Sequence, residues 1–475
     1  MTTLASTADR STAGAGRRSY GARHRWVVLA VGVGAQASFS AMFSGIPVTG
    51  ITMRADYHLS TGALGLVLAC LGLGVAASDI VWGLLTDRFG DRRVLLTGLT
   101  STAALLAVMA VAVTPGDGAG VGLLAACMAI AGALGGSVNG ASGRAVMTWF
   151  GEGERGFAMS IRQTAIPVGG AVGVALLPWL AQSYGFRAVY AVPAAFCLTA
   201  AAATWRWLHN PFLEKTGPGE RNPAATPSTP EAQAAATTGD AGQEPRPAAP
   251  HPSAEDHGDA HPTGQPLPAE ARRDPRPTGQ PLPPKGRSPL RRWDVWRVAL
   301  AGALLTVPQF AVLSFTAIFL HDVKGEGATL ASVTVLIAQL GGGAARIWTG
   351  RRTDRRGNRR TYLRGIGALA GVAMAAAAVL TDAPTPLTVA ALAVGGLLAN
   401  SWHGVAYTEI AAMAGPDRAG TALGLLGTAL FAVGFLTPLL IPVVIAQASW
   451  AAVWGLAAAA SLLAIPLAPG TIRAR

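Results

Sequence analysis

The sequence predicts an all-α membrane protein of twelve transmembrane helices in two pseudo-symmetric six-helix bundles, and three observations carry that expectation. Of 475 residues, 51% are hydrophobic and only 13% charged, where an ordinary soluble domain carries about 25% charge. Apolar runs long enough to cross about 30 Å of hydrocarbon recur along the chain. The run G-L-L-T-D-R-F-G-D-R-R at 83–93 returns as G-R-R-T-D-R-R-G-N-R-R at 350–360, an offset of 267 residues, each time between two apolar runs. A corner repeated at one place in each half implies two related halves.

Taken in order, the expected spans are 26–48, 61–85, 94–114, 119–142, 157–182 and 188–207, then 297–320, 328–349, 362–381, 386–409, 419–445 and 449–469. Gly and Ala crowd them, as in Gly341-Gly342-Gly343 and Ala375–Ala378. Small residues let helices approach closely where lipid supplies no hydrophobic drive for association. Residues 26–207 and 295–470 are expected to form the two bundles, with tails at 1–25 and 471–475. Between the bundles, 208–294 is dense in Pro, Ala, Gly, Gln and charge, and P-T-G-Q-P-L-P occurs at both 262–268 and 277–283. Such a composition buries too little apolar surface to fold, so a disordered linker is expected there.

The net charge of +12 could suggest a nucleic-acid partner. Its distribution argues otherwise. The termini and the short loops assigned to the cytoplasm hold nineteen Lys or Arg, while the opposite loops hold only Arg54, Arg187 and Lys324. That asymmetry sets topology in a multi-pass plasma-membrane protein with both termini inside. Arg10, Arg17, Arg18, Arg23 and Arg25 precede the first span with no A-x-A-like site after it, so no cleaved signal peptide is expected. Cys70, Cys127 and Cys197 fall inside apolar spans and read as small buried residues. No Cys or His spacing suggests a metal or a disulfide framework, and no cofactor is expected.

The repeated corner has the spacing G-x-x-x-D-R-x-G-x-R-R, formed by Gly83, Asp87, Arg88, Gly90, Arg92 and Arg93 and by Gly350, Asp354, Arg355, Gly357, Arg359 and Arg360. The first Gly admits a neighbouring helix. The Asp, about one turn on, can meet a helix N-terminus or an Arg. The second Gly permits a tight turn, and the Arg pair holds the corner on the cytoplasmic side. In these residues the chain resembles the major facilitator superfamily of secondary transporters, whose signature loop joins helices 2 and 3 and is matched at both places. The resemblance implies two six-helix bundles, rocking between inward- and outward-open states about a midplane site. It implies that Asp87 and Asp354, with their Arg partners, close the inner side. It also implies inward-side charge networks at the ends of helices 4 and 10, where Arg144 and Glu409 stand.

Ionisable residues at membrane depth are costly and mark function. Arg162 lies about 8 Å into span 5 at about 1.5 Å per residue, where it either snorkels to the interface or faces a central cavity with Gln163. Pro167, Gly169 and Gly170 favour a bend there. Asp79 and Arg346 occupy equivalent positions, each four residues before the signature Gly. The resemblance places Asp79, Arg162 and Arg346 on helices 2, 5 and 8, which meet between the halves. An ion pair across the halves is expected to gate opening; a proton-carrying carboxylate and plain packing are the other readings of Asp79. His403 in span 10 is suited to substrate, to a proton, or to a core hydrogen bond. Gln36, Asn139, Gln309, Asn400 and Trp402 complete the candidate cavity, since a binding site needs a few polar groups on apolar walls.

No G-x-x-x-x-G-K-[ST] phosphate loop is present, and no nucleophile–base constellation is visible, so neither an ATP-driven pump nor an enzyme is expected. The expected function is secondary active transport of a small solute. Two intramembrane Arg and a His against one deep Asp favour an organic anion, with a proton as the candidate coupling ion and a monomer as the expected state. A proton-coupled exporter of drugs or metabolites is the alternative, and a non-transporting membrane receptor the more distant one.

Overall fold

A run of long apolar helices, alternating in direction, accounts for the whole described architecture. The computed structural model describes residues 23–209 and 288–468. Residues 1–22, 210–287 and 469–475, which hold nearly all of the expected tails and linker, lie outside them. The helices of the first half are α1 (His24–Val48), α2 (Gly50–Asp56), α3 (Thr61–Phe89), α4 (Asp91–Ala112), α5 (Val121–Gly135), α6 (Ser137–Trp149) and α7 (Arg155–Trp207). The second half supplies α8 (Trp293–Asp322), α9 (Ala328–Arg356), α10 (Arg359–Val379), α11 (Thr385–Asn400), α12 (His403–Ala414), α13 (Ala419–Gln447) and α14 (Trp450–Leu467).

Eleven of these segments are long and apolar enough to cross a membrane, counting α5 with α6 and α11 with α12 as one crossing each. The twelfth expected crossing is hidden in the 53 residues of α7. That helix is two spans fused across Gly185, whose φ of 70° and ψ of −175° lie outside helical values. Glycine adopts that conformation without the Cβ penalty of other residues. The break falls in the gap between the expected spans 157–182 and 188–207, and around Pro167, where a bend was expected, the backbone angles stay helical. Gly169 and Gly173 instead admit the backbone of α1, since a Cβ on either would strike Ala37 or Ala41.

Large apolar side chains such as Leu73, Val111, Val379 and Leu463 are half or more exposed. In water such a surface would aggregate; in a multi-pass membrane protein it faces lipid. Two interior clusters belong to one half each. A third joins the halves. It brings Leu29, Val146, Phe150 and Met159 of the first half against Val405, Ile410 and Leu423 of the second. Its first-half members sit at the start of α1, the end of α6 and the start of α7, all toward the face that carries the two signature corners, termed the basic face below.

Crossed packing creates that contact: α3 lies along α13, and α7 along α9. Both crossings are glycine on glycine. A Cβ at Gly420 would lie 2.7 Å from the carbonyl oxygen of Gly83, and one at Gly156 would lie 2.9 Å from that of Gly350. The corners themselves turn on Gly90 (φ 86°) and Gly357 (φ 64°), in the left-handed region that favours glycine. Overpacking such a contact costs about 1–3 kcal/mol. Gly83→Val is therefore expected to open the basic face. The check is maleimide labelling of a cysteine placed at Ala422, which is fully buried in this conformation, in a background lacking Cys70, Cys127 and Cys197; labelling should rise in the Gly83→Val protein.

Candidate functional site

The two signature carboxylates each reach across to the opposite half. Asp87, in the last turn of α3, accepts from the backbone N–H of Gly420 (2.8 Å) and Thr421 (2.7 Å) and from the Thr421 hydroxyl (2.6 Å). Those groups open α13. Asp354, near the end of α9, accepts from the N–H of Gly156 (2.9 Å) and Phe157 (2.8 Å), which open α7. The first N–H groups of a helix have no partner within it, and the helix dipole favours an anion there. Each half thus supplies the cap for a helix of the other.

Charged braces hold these caps. Arg144 of α6 donates to Asp91 (2.9 Å), lies 3.5 Å from Asp87, and reaches the Pro416 carbonyl just before α13. In the second half Arg359 stands 3.3 Å from Asp354 and donates to the Glu152 carbonyl across the halves, while Glu409 of α12 pairs with Arg360 at 2.6 Å. The expected networks at Arg144 and Glu409 exist, but Glu409 holds an Arg and not the signature Asp. Arg92 anchors to the Trp205 carbonyl (2.7 Å) with its guanidinium 4.9 Å from that ring, and Arg88 lies over Phe89.

About 12 Å further from the basic face, eight residues along α3 from Asp87 at about 1.5 Å each, is a layer of buried polar groups. Its first-half part is an oriented chain. Arg162 Nη2 donates to Gln36 Oε1 (2.6 Å), Gln36 Nε2 donates to Asn139 Oδ1 (3.1 Å), and Asn139 Nδ2 donates to both oxygens of Asp79 (3.1 and 3.2 Å). Arg162 also donates to Ser142 Oγ (2.8 Å) and the Asn139 carbonyl (2.7 Å), and its guanidinium lies 5.9 Å from the ring centroid of Tyr407 on α12. An arginine and an aspartate are thereby joined through two carboxamides. Bonds that point one way along such a chain polarise one another.

In the second-half part, Arg346 donates to the Asn400 carbonyl, to Asn400 Oδ1 (3.1 Å) and, across the halves, to the Gln163 carbonyl (3.0 Å). Asn400 ends α11, and the break at Ser401–Trp402 frees its carbonyl for that bond. An interrupted hydrogen-bond ladder at membrane depth is tolerated where protein covers it. His403 begins α12, stacked on Trp402 with ring centroids 4.0 Å apart. The Gln163 side-chain amide and the His403 ring are buried, the first beside the Tyr407 hydroxyl and the second beside the Asn400 backbone.

Several expectations are corrected. Among the described residues no ion pair joins Asp79, Arg162 and Arg346 across the halves: α3 packs on α13 while α9 packs on α7, so the equivalent positions of Asp79 and Arg346 face different neighbours. Arg162 neither snorkels nor lines open space; it is 1% exposed and held by hydrogen-bond acceptors on α1 and α6. Gln309 stays outside the layer, half-buried on α8 with its Oε1 unbonded. Gly83, Asp87 and Arg88 continue α3, and only Gly90 makes the turn. The sequence reading passed over Tyr407, Thr421 and the glycines of α13. The spacing Gly420-x-x-x-Gly424 was a usable signal, being the small-residue pattern of close helix crossings.

Two bundles of membrane helices, meeting in crossed pairs and cross-capped at one face, define a secondary transporter. The chain belongs to the Major Facilitator Superfamily, whose family model matches residues 32–436; its members are transporters and not enzymes. The MFS-type transporter Rv2994 of Mycobacterium tuberculosis H37Rv is 27% identical over 445 residues, spanning 94% of this chain and 85% of the relative. The fucose:proton symporter FucP of E. coli superposes with a TM-score of 0.61 at 14% identity, over 94% of this chain and 98% of that one. The human organic anion transporter MFSD10 does so at 0.65 and 17%, over 94% and 99%. At these identities the two structures share the fold with this chain.

The fork of Arg162 meets acceptors on two helices, which an ammonium cannot match. Arg162→Lys is expected to leave at least one buried acceptor unmet, at about 1–3 kcal/mol. Thermal unfolding of the purified protein in detergent should show the loss as a lowered midpoint.

Proposed function

We propose that the protein carries a small organic anion across the membrane by alternating access, and that this conformation is the one closed at the basic face. The observation that carries the mechanism is the reciprocal capping of α13 by Asp87 and of α7 by Asp354. Each cap exists only while the halves touch at that face, so rocking them apart there breaks both. With the basic face in the cytoplasm, as the distribution of Arg argues, the cycle passes from this inward-closed state to one in which α13 and α7 lose their caps.

The anion reading is supported by Arg346. Its partners are neutral oxygens, and among the described residues no carboxylate lies within ion-pair distance of it. A buried guanidinium without a counter-ion is costly. Gln163 and the His403 ring stand beside it, so a carboxylate arriving at this layer finds positive charge and polar side chains together. The layer lies between the halves, where a rocking motion gives it to each side of the membrane in turn.

A lost helix cap costs about 0.5–2 kcal/mol, and one to two kcal/mol is about a 5–30-fold change in a two-state ratio. Asp87→Ala is expected to reduce transport in membrane vesicles while its abundance in the membrane stays that of the wild type; unchanged flux would refute the cap's role. For the solute, carboxylates at about 100 times their dissociation constant should stabilise the purified protein by about 2.7 kcal/mol. Thermal shift with cationic solutes and no response to carboxylates would sink the anion reading.

A further inference from the structure

The two signature corners share their spacing but not what they show to lipid. Residues 83–93 hold three Arg and two Asp, whereas 350–360 hold six Arg and one Asp. At the common offset of 267, Val81, Leu85 and Phe89 of α3 stand where α9 has Trp348, Arg352 and Arg356. None of these positions belongs to the signature spacing, so neither the caps nor the turn accounts for the exchange. Four residues apart, Trp348, Arg352 and Arg356 follow one another along one side of α9. Trp348 is 59% exposed, and the Arg352 guanidinium lies 5.8 Å from its ring centroid. Tyr362, in the first turn of α10, stands 6.3 Å from the same ring. Away from the corner, Ile337 and Leu340 of α9 are exposed to lipid.

Arg352 and Arg356 are exposed, and among the described residues neither makes a hydrogen bond or an ion pair. The other arginines of the corner are engaged, Arg359 with Asp354 and Arg360 with Glu409. In the first half Arg92 gives its guanidinium to the Trp205 carbonyl. Charges that only fix topology serve anywhere in a short loop. These two instead occupy the lipid side of a helix, one and two turns beyond an exposed Trp. Trp and Tyr collect at the membrane interface, so Trp348 and Tyr362 set the two guanidinium groups at headgroup level.

We propose that this side of the α9–α10 corner binds one anionic phospholipid from the leaflet at the basic face. The forks of Arg352 and Arg356 take the headgroup phosphate, which guanidinium matches with paired N–H bonds. Trp348 and Tyr362 flank the ester level below it, and Ile337 and Leu340 line the path of an acyl chain. A zwitterionic headgroup fits less well. Its ammonium would stand among guanidinium groups, and Asp354, the carboxylate of this corner, has a side chain only 2% exposed. A free phosphate ion would satisfy the arginines but leave the rings and the apolar run unused, so the occupant is a lipid. The site lies outside the buried polar layer and does not depend on what the protein carries.

Lipid retention tests it. The purified full chain in detergent is mixed with dioleoylphosphatidylglycerol or dioleoylphosphatidylcholine, and bound lipid is counted by native mass spectrometry. The wild type is expected to keep one phosphatidylglycerol under conditions that remove phosphatidylcholine; equal retention of the two overturns the proposal. An Arg near an anionic surface contributes roughly fivefold, so Arg352→Gln/Arg356→Gln should weaken that lipid by about 30-fold. Arg88→Gln/Arg93→Gln removes the same charge from the other corner and should leave it bound; equal losses would reduce the effect to net charge and sink the site. Trp348→Leu/Tyr362→Leu keeps every charge and should also lower retention, and wild-type retention in that protein would count against a built site. Displacement of the lipid by inorganic phosphate in large excess would assign the arginines to a free anion and overturn the lipid reading. The two-lipid comparison and the phosphate competition use the wild type alone, so they decide the matter even if a variant fails to fold.

Discussion

The governing constraint is that hydrocarbon offers no hydrogen bonds. Every helix terminus and every charge drawn into the membrane must find its partner within the protein. At the basic face, the first N–H groups of α13 and α7 are satisfied by carboxylates from the opposite half. Water could solvate either end once the halves part, but while they touch, Asp87 and Asp354 do it. This makes the contact between the halves conditional rather than permanent. Polar groups that have an adequate alternative in water can close a face without locking it, whereas a broad apolar seam could not be reopened at the same cost.

Glycine is what allows the caps to form. A carboxylate on α3 reaches the end of α13 only because the two backbones cross at Gly83 and Gly420, and the second crossing at Gly350 and Gly156 repeats the arrangement. The duplication is nevertheless imperfect in its charges. Asp91 pairs with Arg144 in the first half, while at the corresponding brace of the second half Arg360 pairs with Glu409, so the polarity is reversed. The position of Asp79 is taken in the second half by Arg346, one residue compensated within its own half and the other reaching across. A symmetric frame is what rocking needs. Binding a particular solute needs asymmetry, and the asymmetry is concentrated in the layer of buried polar groups.

Much of this could be read from the chain itself. The apolar runs matched the helices because span length is a local property, fixed by membrane thickness and rise per residue. The corners were legible for the same reason: Gly90 and Gly357 need backbone angles that few other residues tolerate. The candidate site was half legible. That Asp79, Arg162, Arg346, Asn139, Gln36 and Asn400 would need partners inside the protein followed from the cost of polar groups in lipid. Their pairing did not follow, because a hydrogen bond between Gln36 and Asn139 joins residues 103 apart in sequence. The break in α7 at Gly185 falls in the gap between the expected spans 157–182 and 188–207, while the backbone angles around Pro167, where a bend was expected, stay helical.

The sequence by itself determined that the chain spans a membrane as two related halves, each turning at a charged corner, because composition, periodicity and repetition are written residue by residue. Only the tertiary structure decided which half caps which helix, that Arg162 is tied to Asp79 through two amides, and that Arg346 meets only neutral oxygens among the described residues. Those outcomes depend on where helices cross, and a crossing is set by the packing of side chains distant in the chain, which no local pattern encodes.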